Sequence, residues 1–119
     1  MEIKHKIWLE EEGMTVFGPG RDEFFKMIEE CQSLNSAAKK LHISYRLVWG
    51  KIKDAEARLG VHLVQIKPLE RRIQLSKTAV ALLAIFDDLE KEIAPILKKA
   101  EKKCIDLRKK AIKENLFSG

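Results

Sequence analysis

The segment from Tyr45 to Leu59 carries the side chains best suited to chemistry in this chain. Projected at about 100° per residue, it places Arg46, Leu47, Gly50 and Lys53 on one side, with Lys51 and Arg58 flanking them. Val48, Ile52, Ala55 and Leu59 fall on the opposite side, and Tyr45 and Trp49 at its edge. A guanidinium can bond guanine O6 and N7 together, and apolar groups can meet thymine methyls, so Arg46 is the candidate for reading base edges in a major groove that admits one helix. Gly50 costs about 1 kcal/mol relative to Ala in a helix interior, so on an outer face it suggests the close approach of another surface, DNA backbone being one candidate. Ser44 and the N–H groups after it suit a phosphate, as do Lys39, Lys51 and the adjacent pair Arg71 and Arg72.

Each of these residues has a plainer reading. Ser44 can be a helix cap and nothing more. Tyr45 and Trp49 belong to types that more often fill a core than stack on bases, and Lys53 can pair with an acidic residue of its own helix. Catalysis finds no support: there is no Gly-rich phosphate loop, no carboxylate cluster on one face, no paired metal ligands and no nucleophile elbow. Cys31 and Cys104 lack a close-spaced Cys or His partner and read as small, reduced helix residues. His5, His42 and His62 are dispersed, and no cofactor is implied.

The charge distribution says where a polyanion would go. Residues 1–36 are acidic by four, whereas residues 37–77 hold ten basic side chains against three acidic, an excess of seven. Residues 78–119 interleave nine basic with seven acidic residues, the pattern of a solvated helix face, and Glu101, Asp106 and Glu114 weaken any attraction to anionic lipid. With no long uncharged apolar stretch and no apolar signal core after Met1, the expectation is a cytoplasmic protein with no membrane partner.

The elements that must carry these residues follow from periodicity and punctuation. Lys6–Leu9 and Met14–Phe17, around Glu10-Glu11-Glu12-Gly13, predict a β-hairpin with a loop of three to five residues. After the Gly18-Pro19-Gly20 break, Phe24, Phe25, Met27, Ile28 and Cys31 recur as in an amphipathic helix. Ser33 and Asn35 are N-cap types opening a short helix through Leu41; His42-Ile43 interrupts it, and Ser44 caps a longer helix ending at Gly60. Ala37 and Ala38 let the two cross closely, as in a helix-turn-helix. Val64/Ile66 and Ile73/Leu75 alternate with polar residues as a second hairpin, a wing with a basic tip at 67–72. Ser76 can cap a last helix whose stripe Leu82, Phe86, Leu89, Ile93 and Ile96 steps by four and three and needs a partner. Pro95 predicts a kink or break near 91–95. The fold class is therefore mainly α, with some β: a winged helix-turn-helix domain over 1–76, with an N-terminal hairpin, and a linker and dimerisation helix over 77–119.

The run Asn35-Ser36-Ala37-Ala38-Lys39-Lys40-Leu41-His42-Ile43-Ser44-Tyr45-Arg46-Leu47-Val48-Trp49 resembles the N-terminal winged helix-turn-helix domain of ModE-type molybdate-dependent regulators, itself similar to the LysR-type DNA-binding domain. The resemblance covers roughly residues 5 to 100. It implies a homodimeric transcription factor with Ser44, Tyr45 and Arg46 at the DNA-reading start of the recognition helix and Arg71 and Arg72 in the wing. The candidate DNA-binding set is thus Asn35, Lys39, Ser44, Tyr45, Arg46, Leu47, Gly50, Lys51, Lys53, Arg71 and Arg72. Gly50 departs from the ModE-like pattern, which usually has an acidic residue there. The oxyanion-binding domains of full-length ModE-type proteins have no counterpart in these residues, so the expectation is a stand-alone DNA binder or one that receives its effector signal through a protein partner. The rival function is a protein-interaction module of winged-helix fold that has lost DNA binding and recruits a partner through its last helix.

Overall fold

A computed structural model describes residues 1–18, 21–70 and 72–118, with side chains at all of these except 21, 22 and 116–118. Two strands open the chain, β1 (Leu9–Glu11) and β2 (Met14–Phe17), followed by α1 (Arg21–Cys31), α2 (Leu34–Leu41) and α3 (Tyr45–Leu59). Then come β3 (Val64–Lys67), a 3-10 turn (Pro68–Glu70), β4 (Arg72–Leu75) and α4 (Lys77–Ser118). The predicted winged helix-turn-helix with a leading hairpin and a long last helix is the fold observed. Two compact units are present: Lys6–Ile85, and Met1–His5 with α4 from Phe86 onward. Among the described residues no helix is long and apolar enough to cross a membrane.

Local chemistry sets most boundaries. In α2 the Ser33 hydroxyl accepts from the Ser36 N–H at 3.3 Å, and the helix closes on His42 in the left-handed region (φ 59°) with Ile43 N–H donating to the Ala38 carbonyl at 3.1 Å. Ser44 caps α3 by accepting from Leu47 N–H at 3.1 Å, and Gly60 (φ 71°) ends it. The leading hairpin departs from expectation. Its first strand starts at Leu9, leaving Lys6–Trp8 outside, and its loop is only Glu12-Gly13 between paired Glu11 and Met14. Both loop residues take positive φ (50° and 79°), as a two-residue type I′ turn requires. The break expected near Pro95 is also absent, since α4 runs through it. Pro95 and Lys91, whose carbonyl loses its donor, are both exposed, so water can satisfy the freed group.

The core of the Lys6–Ile85 unit is built from Val16, Phe17, Phe25, Ile28, Ala37, Val48, Ile52, Ala55 and Leu63, all nearly inaccessible. The Phe17 and Phe25 rings stack at 5.5 Å. Ala37 and Ala38 are buried at the α2–α3 crossing, where a larger side chain would hold the helices apart. Leu59 is half-buried, and Glu56 joins the inner face with 8% of its surface exposed. Its carboxylate accepts from the backbone N–H of Leu63 at 2.7 Å and Val64 at 3.4 Å, and from the Lys53 ammonium at 3.1 Å. In the other unit, Ile3 N–H donates to Glu101 at 2.9 Å, and the His5 ring meets Glu90 at 2.8 Å.

Burial works to raise the Glu56 pKa, but the N–H of Leu63, the Lys53 ammonium and the N–H of Val64 outweigh it and hold the carboxyl below the ordinary glutamate value. A depressed folded-state value means that this stabilisation is fully present above the unfolded value of about 4.3 and is lost as pH falls through the folded one. Urea unfolding followed by circular dichroism should show Glu56→Gln less stable at pH 7 by about 1–3 kcal/mol. The variant should also lose less stability than the parent on acidification below about pH 4.3.

Candidate nucleic-acid interface

The cap at Ser44 fixes where α3 begins and therefore which side chains its first turn presents. Tyr45 and Leu47 are about half exposed, at 49% and 45%, and Arg46 is exposed with no bonding partner among the described residues. Gly50 lies on the same outer side, and a methyl group added there would meet no atom within 4 Å. Nothing among the described residues requires a glycine at that position. Asn35 is exposed in the first turn of α2, and Lys39 and Lys40 are exposed in its last turn, where their charge complements the helix dipole.

The other cations of the candidate set are engaged by the protein itself. Lys53 pairs with Glu56 and lies over the Trp49 ring, 4.5 Å from its centre, so its plainer reading is the one the geometry favours. Lys51 lies over the Phe24 ring at 4.8 Å. Arg58 donates to the Thr15 carbonyl at 3.0 Å, fastening α3 to the leading hairpin. Arg72 donates from Nε to Glu70 at 3.1 Å, from Nη2 to the same carboxylate, and from Nη1 to the Gln32 side chain at 3.1 Å. Arg72 therefore does not project freely from the wing as its sequence position suggests. Arg71 lies outside the described residues.

The wing pairs Val64 with Leu75, Ile66 with Ile73 and Lys67 with Arg72. Val64, Ile73 and Leu75 turn inward, while Ile66 and the fully exposed Leu69 face solvent at the tip. Ile73 N–H donates to the Gln32 carbonyl at 3.0 Å, which ties β4 to the α1–α2 junction. At the wing's other end Ser76 donates to the His62 carbonyl at 2.7 Å and caps α4 at Ala79 N–H. Between the start of α2, the start of α3 and the wing lies an open cleft of about 380 Å³, lined among others by Asn35, Tyr45, Trp49, Lys67 and Arg72. Three residues of this arrangement escape sequence reasoning: Lys67, Gln32 and Glu56. Lys67 was legible as part of the basic tip; the left-handed backbone of Gln32 (φ 54°) and the inward turn of Glu56 leave no mark in residue type. Among the described residues no group of three or more His, Cys, Asp or Glu side chains converges to hold a metal ion.

Residues 23–80 match the family described as "Bacterial regulatory helix-turn-helix protein, lysR family". No curated protein matches the chain in sequence. Among solved structures, full-length CbnR complexed with its target DNA is 26% identical over 71% of this chain and 29% of that chain, with a TM-score of 0.53. BenM_DBD in complex with benA site 1 DNA is 20% identical over 68% of this chain and 92% of that one, with a TM-score of 0.53. ArgP from Mycobacterium tuberculosis is 21% identical over 72% and 31%, again with a TM-score of 0.53. At these identities the BenM and ArgP likenesses speak for the fold alone. The chain spans less than a third of the CbnR and ArgP chains. The matched span opens inside α1 and closes in the first turn of α4, so it takes in both capped helices and the wing. Over these residues the chain is similar to the regulatory helix-turn-helix domains of the lysR family.

Proposed function

We propose that this protein is a sequence-specific, DNA-binding transcription regulator that acts as a homodimer, placing the start of α3 in the major groove and the wing on the backbone. The observation that carries this reading is the first turn of α3. Its cap leaves Arg46 exposed and unpaired beside Leu47, and the next turn opens on the bare backbone of Gly50. Arg46 reads a guanine; Asn35, Lys39, Ser44, Tyr45 and Lys67 contact the backbone around it. The likeness to CbnR, solved in complex with its target DNA, supports the DNA-binding reading. Closer kinship with ModE-type regulators would rest on the leading hairpin and on the Ser44-Tyr45-Arg46 start of α3.

Dimerisation through α4 rests on the stripe Leu82, Phe86, Leu89, Ile93 and Ile96, of which Leu89 and Ile96 are exposed at 36% and 67%. Paired reading helices would fit two half-sites about 34 Å apart. The exposed Leu69 at the wing tip favours, as a second reading, a protein partner that brings the effector signal.

Fluorescence anisotropy with duplex DNA should show log affinity falling linearly with log salt, and Arg46→Ala should weaken binding to a selected site by about 1–3 kcal/mol while relaxing sequence choice. An affinity indifferent to salt would contradict the proposal. Gly50→Ala should raise stability to urea by about 0.5–1 kcal/mol and yet weaken DNA binding, because the added methyl has room in the free protein but stands where the duplex approaches. Light scattering at micromolar concentration should give the mass of two chains, reduced to one by Ile96→Asp.

A further inference from the structure

Resting on the DNA-binding reading, we propose that Glu70 is an internal stand-in for a DNA phosphate: it occupies the Arg72 guanidinium in the free protein, and a backbone phosphate entering the cleft takes its place.

All three nitrogens of the Arg72 guanidinium are engaged. Nε and Nη2 both donate to one oxygen of the Glu70 carboxylate, Oε2, and Nη1 holds Gln32 Oε1 at 3.1 Å. The planar fork that binds a carboxylate in this way binds a phosphate equally well, so the two anions compete for one geometry. The side chains are 41% and 50% exposed, so the pair is open to exchange and screened by water, and such pairs contribute little to folding. The Arg72 hydrogen bonds, then its charge and that of Lys67, hold the Glu70 carboxyl below the ordinary glutamate value.

Cross-strand pairing explains why an anion belongs there at all. Lys67 and Arg72 face each other directly in the wing, and like charges so placed repel. A negative group between them relieves the repulsion, and Glu70, three residues past Lys67, supplies it while the protein is free. The Gln32 bond aims the guanidinium along the cleft that also holds Asn35, Tyr45 and Lys67, a space of about 380 Å³ that admits a phosphodiester. On exchange, Glu70 returns to water, Arg72 keeps its bond to Gln32, and the wing gains a phosphate contact that its sequence charge count already includes. Affinity for any duplex is thereby held down until the wing is seated.

The test is a double-mutant cycle with Glu70→Gln, Arg72→Ala and the double variant in the full chain, read by anisotropy with a mixed-sequence duplex over a salt series. With Glu70 present, Arg72→Ala should weaken binding less than about twofold; with Glu70→Gln it should weaken binding about tenfold. Glu70→Gln alone should tighten binding about fivefold and steepen the log–log salt slope by about one. An equal gain from Glu70→Gln with and without Arg72 would mean simple removal of a repelling charge and overturns the proposal. A tenfold loss from Arg72→Ala in the presence of Glu70 overturns it too, since Arg72 would then already be contacting phosphate. If the parent protein shows no salt-dependent duplex binding, the DNA reading itself falls and the proposal with it; if it binds and the cycle is additive, only the proposal falls.

Discussion

The Glu56 carboxylate is the constraint on which the relation of the wing to α3 depends. It stands on the inner side of α3, accepts the N–H groups of Leu63 and Val64 where the wing begins, and is neutralised by Lys53 one turn earlier on the same helix. Without an acceptor, those two N–H groups would be stranded at the edge of the core, where an unpaired donor costs about 1–3 kcal/mol. Because one side chain meets both elements, the wing root and the recognition helix have a fixed relation. The DNA-binding role proposed above needs that relation, because it sets the distance between the contacts of α3 and those of the wing.

The rest of the wing is secured in the same manner, by bonds that end on backbone. Gln32 holds β4 at the α1–α2 junction through Ile73, and Ser76 binds the chain at His62 before capping α4. These anchors lie at the base of the hairpin, while its tip carries exposed Ile66 and Leu69. The wing is thus rigid where it meets the protein and open where it would meet a partner, and local rigidity of this kind comes from buried, satisfied bonds.

The sequence made the elements legible where single residues decide them. Ser44 and Gly60 mark the ends of α3, the Val64/Ile66 and Ile73/Leu75 alternation marks the wing, and Ala37 and Ala38 mark the helix crossing. It was less informative where the outcome depends on what surrounds a residue. The first strand starts three residues later than its apolar run, because a type I′ turn at Glu12-Gly13 sets the register. Pro95 does not break α4, since its lost hydrogen bond lies on the wet side of the helix. Residue type also does not show which cations are already spoken for, and this changes the candidate site most.

Of the basic residues that make residues 37–77 strongly positive, Lys51 rests on Phe24, Lys53 on Glu56 and Trp49, Arg58 on Thr15, and Arg72 on Glu70 and Gln32. Lys39, Lys40, Arg46 and Lys67 have no bonding partner among the described residues. Counterion release counts phosphates neutralised rather than cations present, so the charge excess overstates the phosphate contacts that the free protein can offer. Of the four unengaged cations, Lys39, Lys40 and Arg46 lie on the helix pair and Lys67 on the wing. A backbone strand lying in the cleft would meet Lys67 and Arg72 on its wing side and the polar groups of Asn35 and Tyr45 on its helix side. The same residue type therefore does two jobs here, and the partner each cation already has decides which.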